Sequence, residues 1–315
     1  MAIPVRALVA LVVGLVAVST AGPLILLCAI GPWAIPTWRL LTVAALLLPW
    51  AARPLARDLA GLAPRERALL LASGVLYGLH FALFTLAFGY TTKESVVLLL
   101  GCQPLVAGAV GALWLGEPLT RGMLGASVVA LAGLGLFVAA DVRLDPGNLV
   151  GDALVVACVV LIVLSYALGR RLRPRMSLLG YLAAMYLVGG AVCLAAALAV
   201  GDPLWGYAPA SWGFLALAVV LPTLVGHSAF HYAVRDVPTF HVSLTILGEP
   251  VLAVVLMALL APHFAVFATS TLTPAQAAGG ALLLVGVGVG LAQGAGPAPV
   301  EPTPAPEPAR VPVGE

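Results

Sequence analysis

The sequence predicts an all-α membrane protein whose ten transmembrane helices form two inverted five-helix repeats around a central cavity. Three observations carry that reading. Hydrophobic residues make up 62% of the 315 residues and charged residues only 9%, against roughly a quarter charged in a soluble domain. Windows of about 20 apolar residues, the length that crosses a ~30 Å hydrocarbon core, recur along the chain with short connections between them. The chain also repeats itself: a displacement of 146 residues lays Ala87–Leu113 on Ala233–Leu259 and pairs Gln103-Pro104 with Glu249-Pro250.

The expected spans follow in order. The first, 6–28, runs too far in apolar residues for a cleaved signal peptide and is read as a retained helix. Segments 34–52, 67–90, 94–115 and 121–140 complete a first repeat over residues 1–145. Segments 149–169, 177–200, 211–234, 239–262 and 272–293 form the second, over 146–293. Five is odd, so the two halves enter the bilayer in opposite senses, an arrangement that places a site near the midplane. A displacement of 155 matches Gly125, Gly133 and Gly135 to Gly280, Gly288 and Gly290, with a longer loop between the last two spans. Close helix packing is the expected role of these glycines. Residues 294–315, rich in Pro, Ala, Gly and Glu, read as a flexible cytoplasmic tail.

Arginines set the orientation. An N-terminus inside places Arg6, Arg53, Arg57, Arg65, Arg67, Arg121, Arg170, Arg171, Arg173, Arg175, Arg235 and Arg310 in the cytoplasm and only Lys93 and Arg143 outside. That is the positive-inside bias, and it predicts a multi-pass protein of the plasma (inner) membrane with both termini cytoplasmic. A net charge of +2 is too small to point to nucleic acid. Cys28, Cys102, Cys158 and Cys193 fall in apolar stretches without metal-ligand spacing, so neither a metal nor a cofactor is expected. No phosphate-binding Gly-rich loop, His-Glu-x-x-His or Gly-x-Ser-x-Gly pattern occurs.

The residue that stands out is Glu249, a carboxylate in the middle of an apolar stretch, where a charge costs ~3 kcal/mol or more. Pro250, and Pro104 in the first repeat, disturb the helix turn before them and free backbone carbonyls. Glu249 either binds a cationic group or a proton, or is held neutral against a neighbouring helix. His227 and His231 are four apart and share a helix face, and His80 falls within one position of His227 in the repeat. Each is a proton-relay candidate or a hydrogen bond between helices. Arg39 snorkels to the outer headgroups, pairs with a carboxylate, or binds an anionic substrate. Gln103, Tyr77, Tyr166 and Trp38 are cavity-wall candidates. Glu117 and Thr120 are expected to cap the fifth span. Ser19 and Thr20 line the cavity or bond back to their own helix.

Several segments together resemble a family. Leu79-His80-Phe81, Tyr90-Thr91-Thr92, Gln103-Pro104-Leu105 and Leu115-Gly116-Glu117-Pro118-Leu119-Thr120 are similar to the first half of an EamA-type transporter of the drug/metabolite transporter superfamily. Pro36-Thr37-Trp38-Arg39 resembles its second span, and Gly226-His227-Ser228-Ala229-Phe230-His231 with Gly248-Glu249-Pro250-Val251 its eighth and ninth. The resemblance covers about residues 8–293. It implies a ten-helix basket in the lipid bilayer and export of a small-molecule substrate: metabolites, amino acids or drugs. Proton coupling and facilitated diffusion both stay open. The Gly-Glu-x-Leu-Thr motif after the fourth span has no acidic counterpart at 268–273. The alternatives are an intramembrane enzyme acting on a lipid or peptide, and a receptor that binds without transporting.

Overall fold

A computed structural model describes residues 3–138, 146–267 and 273–293. The tail at 294–315, Arg143 and the 268–272 loop lie outside the described residues. Among those described, ten helices are long and apolar enough to cross a membrane. They are Val5–Cys28, Ala34–Gly61, Pro64–Ala87, Leu98–Leu115, Arg121–Val138, Leu149–Leu172, Leu178–Val200, Pro209–Ala233, Thr239–Leu260 and Pro274–Ala292. All ten expected spans are present. The largest difference is the second, which continues through Pro49 and Pro54 to Gly61, because its arginine-bearing last turns leave the apolar layer without ceasing to be helical.

Cross-loop contacts fix which ends of the first, second, third, sixth, seventh and eighth spans lie together. At one end the Asp58 carboxylate accepts from the Ser177 backbone N–H (2.9 Å) and hydroxyl (2.6 Å). There too Glu66 pairs with Arg175, and Arg6 pairs with Asp236 at 3.0 Å. At the other end the Thr91 hydroxyl donates to Asp152 at 2.6 Å, and Asp202 accepts the backbone N–H of Trp33 (2.8 Å) and Ala34 (3.1 Å). The N-terminal ends of the first and sixth spans therefore lie at opposite ends of the bundle.

Packing follows a pattern that survives exchanging the halves. The second span packs on the seventh, the fifth on the tenth and the fourth on the ninth, while third-on-sixth mirrors first-on-eighth. The fifth and tenth spans approach closely enough that a Cβ on Gly133 would strike the backbone of Leu283 and one on Gly279 that of Phe137. Small residues permit that approach. Gly125, Gly135 and Gly288 meet nothing, so the packing role holds for only part of the matched glycine set.

The backbone repeat is clearest at two helix breaks. In the fourth span the helix stops at Gly101-Cys102 and restarts at Gln103; in the ninth it stops at Leu247-Gly248 and restarts at Glu249. Gly101 (φ −57°, ψ −21°) and Leu247 (φ −57°, ψ −20°) have nearly the same geometry, as do Cys102 and Gly248. Pro104 and Pro250 occupy the first turn of the new segment, where a missing N–H loses nothing. They are helix starters after a tight turn rather than kinks within a continuous helix.

Candidate functional site

A cavity sits at these breaks, in the middle of the spans. It is lined by Leu100, Gly101 and Gln103 at one break, by Ile246, Leu247, Glu249 and Pro250 at the other, and by Arg39, His80, Tyr166 and His227, with Phe81, Phe84 and Phe230 as apolar wall. About 60 Å³ is open to the centres of water molecules, several times the ~10–15 Å³ one water needs. Pro104 offers no N–H to the Leu100 carbonyl four residues back, and Pro250 none to Ile246. Both residues deprived of that ordinary partner face the cavity.

Glu249 begins the helical segment Glu249–Leu260. Its carboxylate therefore sits at the positive end of a half-helix, which offsets part of the cost of a charge there by ~0.3–1 kcal/mol. Among the described residues it accepts no side-chain hydrogen bond and makes no ion pair, and it is only partly buried because its free surface is cavity surface. Gln103, its counterpart, starts the other half-helix and is held by its Nε2, which donates to the Ser243 hydroxyl at 3.3 Å.

Arg39 does not snorkel. It is 2% exposed, its Nε donates to the Thr223 hydroxyl at 2.9 Å, and its guanidinium lies 4.6 Å from the Phe81 ring centre. The Thr223 hydroxyl in turn donates to the Ala218 carbonyl at 2.7 Å, from within the π-helical turns Val219–His227. An irregular helix thus builds the polar seat for a buried cation.

His80 and His227, one from each half, meet across the cavity with ring centroids 6.4 Å apart. His80 Nδ1 is 3.0 Å from the Cys158 carbonyl; as the donor there it leaves Nε2 an acceptor. His231 does not line the cavity. It is fully buried one turn deeper, and among the described residues both its ring nitrogens lack a hydrogen-bond partner, as does the Tyr166 hydroxyl. Left dry, each such group costs ~1–3 kcal/mol. Tyr77 is also fully buried and packs between His227 and His231, at 5.7 and 5.4 Å.

Other expectations divide. Trp38 belongs to a cluster with Trp205 and Trp212 (4.5 and 5.6 Å) and donates to the Leu204 carbonyl at 2.9 Å, away from the cavity. Ser19 and Thr20 bond back to Leu15 and Ala17, each at 2.7 Å. Thr120 caps the fifth span through the Met123 N–H at 3.2 Å.

Glu117 does something else. It is 7% exposed; Oε1 accepts from Arg170 Nε at 2.7 Å and Oε2 from the Thr239 N–H at 3.2 Å. Arg170 also donates to the carbonyls of Val234 (3.1 Å) and Arg235 (2.7 Å). This network ties the loop after the fourth span to the sixth span, the eighth–ninth loop and the start of the ninth span, joining the two halves at the arginine-rich end. Neither partner could be chosen from sequence, since they lie 53 and 122 residues away.

No curated protein matches the chain in sequence. A solved crystal structure aligns over 91% of this chain and 97% of its own, at 18% identity and a TM-score of 0.73, which establishes that the fold is shared. A family model described as the EamA-like transporter family matches residues 5–139 and again 149–290. One match falls on each half and together they span most of the sequence, so the chain belongs to the EamA-like transporter family and is a membrane transporter.

Proposed function

We propose that the chain is a proton-coupled secondary transporter that exports a small polar metabolite, amino acid or drug by alternating access. The two five-span halves act as inverted repeats about the cavity. The observation that carries this reading is the Glu249 carboxylate: unpaired among the described residues, facing the cavity, and at the start of a broken helix in the middle of the bundle. A carboxylate with no internal partner is free to take a proton or a cationic group in turn. Arg39, His80, His227, Gln103 and Tyr166 supply the remaining polar surface. The residue groupings 1–145 and 146–293 serve as the two moving bodies, and the arginine-rich end faces the cytoplasm of a plasma membrane.

The Glu117–Arg170–Thr239 network closes the arginine-rich end and has to break for the cavity to open there. In the test, liposomes carrying the full chain are loaded with a mixture of amino acids and metabolites, and efflux is followed by mass spectrometry with and without a pH gradient. Gradient-dependent efflux of at least one compound, lost in Glu249→Gln, is expected. Efflux that ignores the gradient, or a Glu249→Gln variant that still responds to it, rejects the coupling. Chemical conversion of a component without movement would favour an enzyme.

A further inference from the structure

Behind the cavity lies a second cluster of polar groups, which shares only Tyr166 with the transport site. Its centre is His231, on the eighth span, enclosed by the rings of Tyr166 from the sixth span (5.0 Å), Tyr77 from the third (5.4 Å) and Tyr181 from the seventh (5.5 Å). The Tyr181 hydroxyl continues to Ser73 at 2.7 Å, and Ser73 to Ser165 at 3.3 Å. Beyond them, toward the arginine-rich end, stands Arg173. It is 3% exposed, bonded through Nη1 to the Met176 carbonyl at 2.6 Å, with Nε unpartnered. On the cavity side Tyr77 touches His227, and Tyr166 itself lines the cavity. The first span, packed on the same stretch, brings no charged side chain but Arg6, which is exposed and paired with Asp236 at its end.

We propose that His231 is the central relay of a proton path connecting the Arg173 end of the bundle to the Glu249 cavity. Three features point there. Buried polar atoms in folded proteins are nearly always hydrogen-bonded, yet four that lack a partner among the described residues, both nitrogens of His231 and the hydroxyls of Tyr77 and Tyr166, converge at this place. Imidazole is the side chain that accepts a proton on one nitrogen and releases one from the other. Each passage leaves the ring neutral with its tautomer exchanged, and rotation or a returning hydroxyl proton restores it. The groups lie in sequence between the cavity and one end, Ser73 and Tyr77 being successive turns of one face of the third span. Arg173 marks the mouth of the path.

This inference rests on the reading of Glu249 as the coupling carboxylate, and the test separates the two. Full-length protein in liposomes is given a rapid pH jump, and protonation of Glu249 is followed by the infrared carboxyl stretch, assigned by its loss in Glu249→Gln. His231→Phe, which keeps an aromatic ring, is expected to slow protonation by on the order of a hundredfold or more, the scale of losing one proton-transfer group. The equilibrium spectrum should stay unchanged, a split that a purely structural role would not produce. Tyr166→Phe removes one hydroxyl, keeps the packing and should slow the reaction less; it carries the test if His231→Phe does not fold. Unchanged rates in the folded variants overturn the relay and leave the role of Glu249 standing. Absence of a Glu249 band at every pH overturns both.

Discussion

Replacing Glu117 by alanine should bias the protein toward opening at its arginine-rich end. Breaking a buried ion pair costs ~3–5 kcal/mol when the partner is stranded. Here the Arg170 side chain is 16% exposed and keeps its bonds to the Val234 and Arg235 carbonyls, so about 2 kcal/mol, the worth of a hydrogen bond to a charged group, is the better figure for the pair. Losing the acceptor for the Thr239 N–H adds up to ~1 kcal/mol, the usual worth of a helix cap. A loss of 2–3 kcal/mol confined to the closed arrangement raises the open fraction roughly 30- to 150-fold, at 1.36 kcal/mol per decade. The assay is labelling of Ser243→Cys by a membrane-impermeant thiol reagent, in a background without the four native cysteines. Ser243 is fully buried one turn inside Thr239, so it reacts only when that end opens. Labelling that does not accelerate in a monodisperse Glu117→Ala protein refutes the latch. Arg170→Ala should act in the same direction, and the double variant should add little to either single change.

Other consequences can be measured more simply. Asp202→Ala removes the acceptor for two N–H groups at the start of the second span; a destabilisation of ~1 kcal/mol is expected, seen as a lower thermal midpoint in detergent. Gly133→Leu drives a side chain into the backbone of Leu283 and should prevent close packing of the fifth and tenth spans, leaving little folded protein on size-exclusion chromatography. Gly135→Leu, where a Cβ meets nothing, should be tolerated in the same experiment. Thr223→Val strips the hydroxyl from Arg39 and leaves part of a buried cation unsatisfied, at ~1–3 kcal/mol; Thr223→Ser should restore the midpoint.

Much of this molecule was legible from its sequence, for a physical reason. A bilayer demands about 20 apolar residues per crossing and tolerates few charges, so ten spans and one anomalous carboxylate can be read along the chain. The repeat was legible too, because Gln103-Pro104 and Glu249-Pro250 mark the same interruption twice. What lay hidden depends on pairs far apart in the chain. The partners of Glu117 could not be read, nor the seat that Thr223 makes for Arg39, because a π-helical stretch shifts the phase of the eighth span just there. The spacing of His227 and His231 puts both on one helix face, and only their depth decides that one lines the cavity and the other lies behind it.

By itself, the sequence determined the class, the number of crossings, their alternation and the address of Glu249, since each follows from local composition and spacing. Tertiary structure alone decided that Glu249 has no side-chain partner among the described residues, that Gln103 does, that Arg39 is buried rather than snorkelling, and that Glu117 joins the two halves. Those are statements about distances between helices. Hydrophobic periodicity is one-dimensional and sets which residues enter the membrane; the rotation and depth of each helix, fixed by packing against its neighbours, set which of them meet.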